Sequence, residues 1–482
     1  MSQYSLAQLC EANERLARAD ISLWGAQAQP IAQDRLGWIG LPEKSRELLP
    51  ALDALSAWAR AAQIGRIVLS GMGGSSLAPE VIATHYGREL LVLDSTHPAD
   101  VAEVINADPT QTLFIISSKS GETIETLSHL KAIQACLQEG GLPIENHVVV
   151  ISDPGSPLLA WADENHVRSF AGQANVGGRF SALSIFGLLP ASLIGVDCAV
   201  LLDDAADMRE ELQQSGGENL AIQLTQEILA HAPYLVLPDQ PFSDWVEQLV
   251  AESTGKEGRG IIPVKGAQQD VSDMVRKASA LGLGASFYLW EWTVALLGSA
   301  LEVNPFDQPD VARAKSATSK ALTAGGTFAH HMVQTTQGAL ALIDQKFTHP
   351  GGYIGVLAFV PMRDSEIGRT MHEIRQGLQD RFRALDKKVT FGYGPRYLHS
   401  TGQCHKGGPA FGSFLIITLD GGERGGVEDF PIPQERYSFG ELLRAQALGD
   451  CEVLTEIGRQ VVHAHLTRDE LTRFSQSLRV TS

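Results

Sequence analysis

The sequence predicts an α/β protein of two doubly wound parallel-sheet lobes with surrounding helices, and three observations predict it. Short apolar, β-branched runs at 67–70, 90–93, 113–116 and 147–151 are separated by segments of helix length, the alternation that builds a parallel sheet. Turns rich in glycine or hydroxyl residues follow Ser70 and Ile116 and open helices. Helix and strand sizes then recur at 218–231, 234–237 and 244–252, which suggests a second, smaller α/β lobe. At 482 residues more than one hydrophobic core is expected. The expected divisions are a helical N-terminal cover at 1–60, a first α/β domain at 61–205 and a second lobe at 206–482.

In chain order, Leu6, Leu9 and Leu16, then Leu49, Leu52, Leu55 and Trp58, fall at helical intervals in a stretch without chemistry, hence the cover. The first strand leads into Ser70-Gly-Met-Gly-Gly-Ser-Ser-Leu-Ala-Pro79. This turn lacks the spacing of either nucleotide-binding fingerprint. Gly71, Gly73 and Gly74 nevertheless let the backbone approach a ligand and Ser75 can donate to it, unless the run is simply a tight turn. The third strand leads into Ser117-Ser-Lys-Ser-Gly-Glu-Thr123, followed by Leu127, Leu130, Ile133 and Leu137 at helical spacing. The hydroxyls of Ser118, Ser120 and Thr123, the Gly121 turn and the helix-start N–H groups form a phosphate-sized cup, where the helix dipole also favours an anion. A cap would need one hydroxyl, not three. Ligands of such sheets bind beyond the C-terminal strand ends, where Ser70 and Ser118 lie.

Arg179 stands where a loop meets an apolar helix, a place where arginine is ordinarily a solvated or ion-paired surface residue. Glu252 precedes Ser253-Thr-Gly-Lys256, and its helix is expected to break at Gly255. Pro309 suits the first turn of a helix with Gln308 at its entry and Lys315 one face down. A strand at 353–360, a helix at 364–385 and a strand at 389–391 follow. The loop 394–408 then carries His399, His405, a lysine and several glycines, an active-site edge in type.

The net charge of −18 argues against a nucleic-acid or anionic-membrane partner, either of which requires a basic face. Five scattered cysteines without CxxC spacing suggest neither a disulfide framework nor a zinc site. With no secretory pattern at the N-terminus, a reducing cytoplasm is expected. The most apolar stretches, 181–202 and 285–303, are interrupted by Pro190 and Asp197 and by Glu291 respectively, and read as core helices instead of membrane spans.

The order Ser-Lys-Ser-Gly-Glu-Thr-x-Glu resembles the signature of sugar-isomerase (SIS) domains. Gly71-Met-Gly-Gly-Ser75, Ser118-Lys-Ser-Gly-Glu-Thr123, Gly177-Gly-Arg-Phe-Ser181, Gln248-Leu-Val-Ala-Glu-Ser-Thr-Gly-Lys256 and Asn304-Pro-Phe-Asp-Gln-Pro-Asp-Val-Ala-Arg-Ala-Lys315 together resemble the glucose-6-phosphate isomerase family, in its order. The Gln248–Lys256 form and the segment Leu398-His-Ser-Thr-Gly-Gln-Cys-His-Lys-Gly-Gly408 are similar to the isomerase half of fused transaldolase/glucose-6-phosphate isomerase proteins, although no transaldolase barrel fits this chain. The resemblance implies two SIS-type lobes, a phosphate held by Gly74, Ser75, Ser118, Lys119, Ser120 and Thr123, and a sugar pocket lined by Gln308. It also implies Glu252 as the base moving a proton between C1 and C2, Arg179 stabilising the enediolate, and Lys315 with a histidine opening the ring. It implies no cofactor or metal, a small sugar phosphate as partner, and a homodimer.

The family's catalytic histidine lies between that glutamate and that lysine, and here no histidine occurs from 252 to 315. Thr401-Gly-Gln-Cys-His405, followed by Asp429-Phe-Pro-Ile-Pro433 and Arg444-Ala-Gln-Ala-Leu-Gly449, is similar to the displaced block. The expectation is therefore His405 first and His399 second, against a surface loop of solvated histidines. Two other functions remain: an isomerase that also accepts mannose 6-phosphate, and a sugar-phosphate sensor without turnover. A sensor has no use for Glu252, Arg179 and Lys315 together.

Overall fold

The computed structural model describes residues 4–323, 332–420 and 429–479, apart from the side chains of residues 311, 312, 314 and 315. The chain forms two compact units, one of Met1–Asp94 with Asn106–Asp307 and one of Ser95–Ile105 with Gln308–Ser482.

The first unit holds β1 (Arg66–Gly71), β2 (Leu91–Leu93), β3 (Thr112–Ser117), β4 (Val148–Ser152) and β5 (Arg168–Ala171) in one sheet of order β2-β1-β3-β4-β5. Every pairing is parallel. Strands β3 and β4 are buried along their whole length, as both-face coverage by helices requires. The order reverses between β1 and β3, so the turns that follow these two strands flank the crevice where doubly wound sheets bind ligands. Register brings Gly71 opposite Ser117 and Ser117 opposite Ile151, which levels the C-terminal ends.

The segment 206–307 joins this unit, so the units divide at 307/308 and not at the expected 205/206. The reason lies in the helix Leu283–Ala300, whose residues from Leu283 to Ser299 are all buried in a core that also takes in the N-terminal helices and the first sheet. Trp24 donates from Nε1 to the Ala295 carbonyl at 2.9 Å and Tyr288 from its hydroxyl to Ile39 at 2.9 Å, tying the N-terminal helices to that core. The expected strand at 234–237 is β6 (Tyr234–Pro238), which pairs in parallel with β7 (Ile262–Gly266) as a two-stranded sheet of this unit instead of opening a second lobe.

The second unit builds its own sheet from β8 (Met332–Val333), β9 (Tyr353–Phe359), β10 (Lys388–Tyr393), β11 (Gly412–Leu419) and β12 (Gln460–Leu466), in the order β10-β9-β11-β12-β8 and parallel throughout. With β9 to β12 matched to β1 to β4, the order is that of the first sheet, and β8 takes the place of β5. The short segment Ser95–Ile105 belongs here. Asp100 accepts the backbone N–H groups of Met362 and Arg363 at 3.0 and 3.1 Å, beyond the end of β9, and Thr96 donates to Gln446 at 2.8 Å.

No described helix is long and apolar enough to cross a membrane, and the 285–303 stretch is core. Its acid Glu291 is fully buried, and neither carboxyl oxygen has a hydrogen-bond partner among the described residues. Burial raises its pKa well above the ordinary carboxyl value, which keeps it protonated. Because the folded state holds this proton more tightly than the unfolded chain, its stabilising effect is full below the unfolded pKa and is lost as pH rises through the folded one. Glu291→Leu is expected to raise unfolding free energy at pH 7 by about 1–3 kcal/mol. The gain should shrink near pH 4, about where an unfolded glutamate titrates. Denaturant titrations at the two pH values check this.

Candidate active site

The cup after β3 is made by local chain geometry. Gly121 adopts φ +70°, and a Cβ there would lie 2.8 Å from the Ser156 side chain, so only glycine fits the bend. Ser118 Oγ meets Thr123 Oγ1 at 2.9 Å and accepts the Gly121 N–H at 3.2 Å. Thr123 is the N-cap of the helix Ile124–Glu139 but makes no capping hydrogen bond with its side chain. This separates the two sequence readings, because a capping threonine would turn its hydroxyl to the helix amides.

Two expected members of the cup face elsewhere. Ser120 is exposed and accepts the Glu122 N–H at 3.2 Å. Lys119 donates to both oxygens of Asp153, at 2.7 and 2.6 Å, and to the Gln173 carbonyl at 3.0 Å. Its charge is thus shared with a neighbouring carboxylate, and burial lowers its pKa against the pull of Asp153.

Gly74 and Ser75 are buried in the turn Gly73–Ser75 after β1. A Cβ on Gly74 would sit 2.0 Å from the Gly178 carbonyl oxygen and 3.0 Å from the Arg179 nitrogen, so this turn touches the backbone that presents Arg179. Arg179 is itself 3% exposed, not the surface arginine its loop position suggests. Next to it Phe180 packs on Trp38 and Phe306 with ring centroids 5.3 and 5.5 Å apart.

The guanidinium then has fixed partners. Arg179 Nη1 lies 3.3 Å from Glu252 Oε1, and Nε donates to Ser253 Oγ at 2.7 Å. Nη2 donates to the Pro305 carbonyl and, at 3.1 Å, to that of Asp307. Burial lowers the arginine's pKa while Glu252 and Asp307 oppose that shift. Glu252 lies in the last turn of the helix Pro241–Thr254, is 8% exposed, and accepts from Gln248 Nε2 at 3.2 Å. A carboxylate held beside a buried cation, with an edge open to solvent, is the equipment for moving a proton next to a developing negative charge.

The remaining candidates lie in the second unit. Gln308 is exposed just before the helix Pro309–Thr323. Lys315 is on that helix, with its side chain outside the described residues. The expected loop 394–408 is largely helical, with turns of helix at Arg396–His399 and Gly402–Gly407. Gln403 ties the second of these to the Lys315 helix, accepting the Asp310 N–H at 3.0 Å and donating to Asp310 Oδ2 at 2.8 Å.

His405 is not a loop histidine. It is 4% exposed, its ring centroid lies 5.1, 5.9 and 6.2 Å from those of Phe414, Tyr397 and Tyr353, and Nδ1 has no hydrogen-bond partner among the described residues. Burial, then the positive charges of Lys406 and Arg459, hold its pKa well below the usual histidine value. His399 is half-buried.

Sequence reasoning passed over Lys256 and Asp307, although both stand inside quoted motifs. Lys256 Nζ lies 2.7 Å from Asp307 Oδ1 and donates to the Asn304 carbonyl. The signal available was a lysine four residues from the candidate base. In the cup, Thr123→Val is expected to weaken binding of inorganic phosphate by about 10- to 100-fold, the loss of one hydrogen bond to a charged group. The unfolding free energy should fall by no more than about 0.5–1.5 kcal/mol, since the Ser118 hydroxyl contact is lost but no cap is removed. Calorimetry with phosphate and a thermal melt together check it; a lower melting point with unchanged phosphate binding would make Thr123 structural.

The family model for phosphoglucose isomerase matches residues 43–233, a span that holds the first sheet, the cup and Arg179 and ends before Glu252. The chain is 34% identical over 239 residues to a glucose-6-phosphate isomerase of Thermus thermophilus, covering 46% of this chain and 56% of that one. It is 30% identical over 263 residues to a glucose-6-phosphate isomerase of Rubrobacter xylanophilus, covering 48% and 60%. The chain thus spans a little over half the length of these curated relatives. The crystal structure of a glucose-6-phosphate isomerase from Chlamydia trachomatis superimposes with a TM-score of 0.53 at 18% identity, over 72% of this chain and 90% of that one, a likeness of fold. Through residues 43–233 the chain matches the phosphoglucose isomerase family.

Proposed function

We propose that the protein is an aldose–ketose isomerase interconverting glucose 6-phosphate and fructose 6-phosphate. The observation that carries this reading is the 3.3 Å contact between buried Arg179 and Glu252, in the unit that also presents the hydroxyl cup. The names of the relatives supply the substrate. In this reading the cup, with Gly74, Ser75, Ser118 and Thr123, binds the phosphate, and Ser120 and Lys119 contribute after reorienting. Binding there holds the sugar by a group that does not react, so the proton transfer becomes effectively unimolecular.

Glu252 takes the proton from C2 of the open-chain aldose and returns it at C1. Arg179 stabilises the enediolate negative charge that builds on the adjacent oxygens. Gln308 is assigned to the sugar pocket and Lys315 to ring opening with a histidine. His399 suits that role better than His405, because a ring-opening acid–base needs access to the sugar oxygen and the surroundings of His405 are aromatic core. Assembly as a homodimer belongs to the same reading. A sensor would need the cup alone, and the buried Arg179–Glu252 pair favours turnover.

The test is a coupled assay for glucose 6-phosphate formed from fructose 6-phosphate, with Glu252→Gln alongside. The amide keeps the shape and cannot take the proton, so kcat should fall on the order of 10²–10⁴-fold with KM nearly unchanged. Near-normal kcat in this variant would make Glu252 structural. A ring-opening role for His399 predicts that His399→Ala impairs turnover of cyclic fructose 6-phosphate far more than that of an open-chain analogue, while His405→Ala shows no such difference. Equal effects on both substrates in His399→Ala would remove that assignment.

A further inference from the structure

Two cations grip one short stretch of chain, residues 304–307. From one side Arg179 Nη2 donates to the carbonyls of Pro305 and Asp307. From the other Lys256 Nζ donates to the Asn304 carbonyl and pairs with the Asp307 carboxylate at 2.7 Å. The stretch also closes on itself, Asn304 Oδ1 accepting the Phe306 N–H at 3.0 Å. The lysine backbone is fixed by paired hydrogen bonds with Arg259 at 3.1 and 2.8 Å. Its side chain is as buried as that of Arg179, at 3 and 2% exposure. Burying an ammonium is costly unless it is paired, so its location calls for a reason beyond surface ion pairing.

We propose that Lys256 is a positioning residue for Arg179: by pinning residues 304–307 it fixes the two carbonyls that hold the guanidinium against Glu252. The inference deepens the isomerase reading and rests on it for its kinetic consequences. Among the described residues the Lys256 side chain has its hydrogen bond and ion pair with Asn304 and Asp307, and none with Glu252 or the cup. It acts through the stretch, and its removal releases the acceptors of Arg179 Nη2 without altering Arg179 itself. Burial, reinforced by the charge of Arg179 and opposed by Asp307 and Glu252, brings the lysine pKa down to about 7. As pH rises through that value the ammonium loses its proton, the attraction to Asp307 goes, and the clamp loosens on the alkaline side.

The experiment uses the full chain with Lys256→Met, Asp307→Asn and the double variant. Each single change is expected to lower kcat about 10²-fold, the cost of an angstrom-scale misplacement, with KM for the phosphorylated sugar little altered. The double variant should be no worse than either single one, since both remove the same clamp. The alkaline limb of the wild-type kcat profile should be absent from Lys256→Met. A crystal structure of Lys256→Met should show the Arg179 guanidinium away from the Pro305 and Asp307 carbonyls. Arg179 remaining on those carbonyls, or singles whose losses multiply in the double variant, would overturn the proposal. If the wild-type chain does not isomerise the sugar phosphate, the functional reading fails, and the crystal structure still decides the clamp. Should Lys256→Met not fold, Asp307→Asn keeps both the lysine and the carbonyls, and the same two measurements decide on it.

Discussion

Backbone contact at Gly74 and Gly178 is the constraint on which the first unit's site depends. There is no room for a side chain between the two turns: a methyl group on Gly74 would sit 2.0 Å from a carbonyl oxygen, and the opposing atoms are backbone, which cannot swing aside. Forcing such an approach apart typically costs about 1–3 kcal/mol and displaces the chain. The displacement would fall on Arg179, one residue further on. From there the order of the site passes to Glu252 and Ser253 through the guanidinium, and to residues 304–307 through the Phe180–Phe306 ring contact. A ligand cradle and a charged pair from distant parts of the sequence thus share one reference point.

Much of this was legible because the physical cause is local. Strands β1, β3 and β4 carry unbroken apolar runs at 67–69, 113–116 and 148–151, as strands of a parallel sheet covered on both faces do. Gly121 and Thr123 state their bend and helix start in the sequence, and Glu252 was placed at the end of its helix by Gly255. Strand β5 was not visible, since Arg168-Ser-Phe-Ala is a partly exposed edge with no apolar run. β11, apolar at 414–417, had no counterpart among the expected strands.

At the site, what stayed hidden are pairings across long separations. Lys119 turns from the cup because Asp153, 34 residues on, takes its charge. His405 sits in the core because Tyr353, Tyr397 and Phe414 arrive around it from three segments. Lys256 was readable as a motif letter, while its burial against residues 304–307 needs the fold. Spacing along a chain reports which residues share a helix or a turn, and says nothing of which carboxylate will reach a lysine first.

The two sheets share one strand order, yet the second completes it from the opposite end of its sequence, with β8 before β9 instead of a fifth strand after β12. They also treat the turn after their second strand in space differently. Beyond β1 the turn is glycine-rich. Beyond the matching β9, the amides of Met362 and Arg363 are already bound by the carboxylate of Asp100, so the protein supplies its own anion there.

That carboxylate comes from Ser95–Ile105, a piece of chain lying between β2 and β3 of the first sheet in sequence and belonging to the second unit in space. The two halves are therefore not separable genes in waiting. A fragment stopping at residue 307 would carry the helix Pro98–Ile105 with Val101, Val104 and Ile105, all at most 1% exposed in the whole chain, bare to water. A fragment starting at 308 would leave two amides after β9 without their acceptor. Any evolutionary or laboratory cut at the unit boundary inherits one half with a sticky flap and another with an open seam.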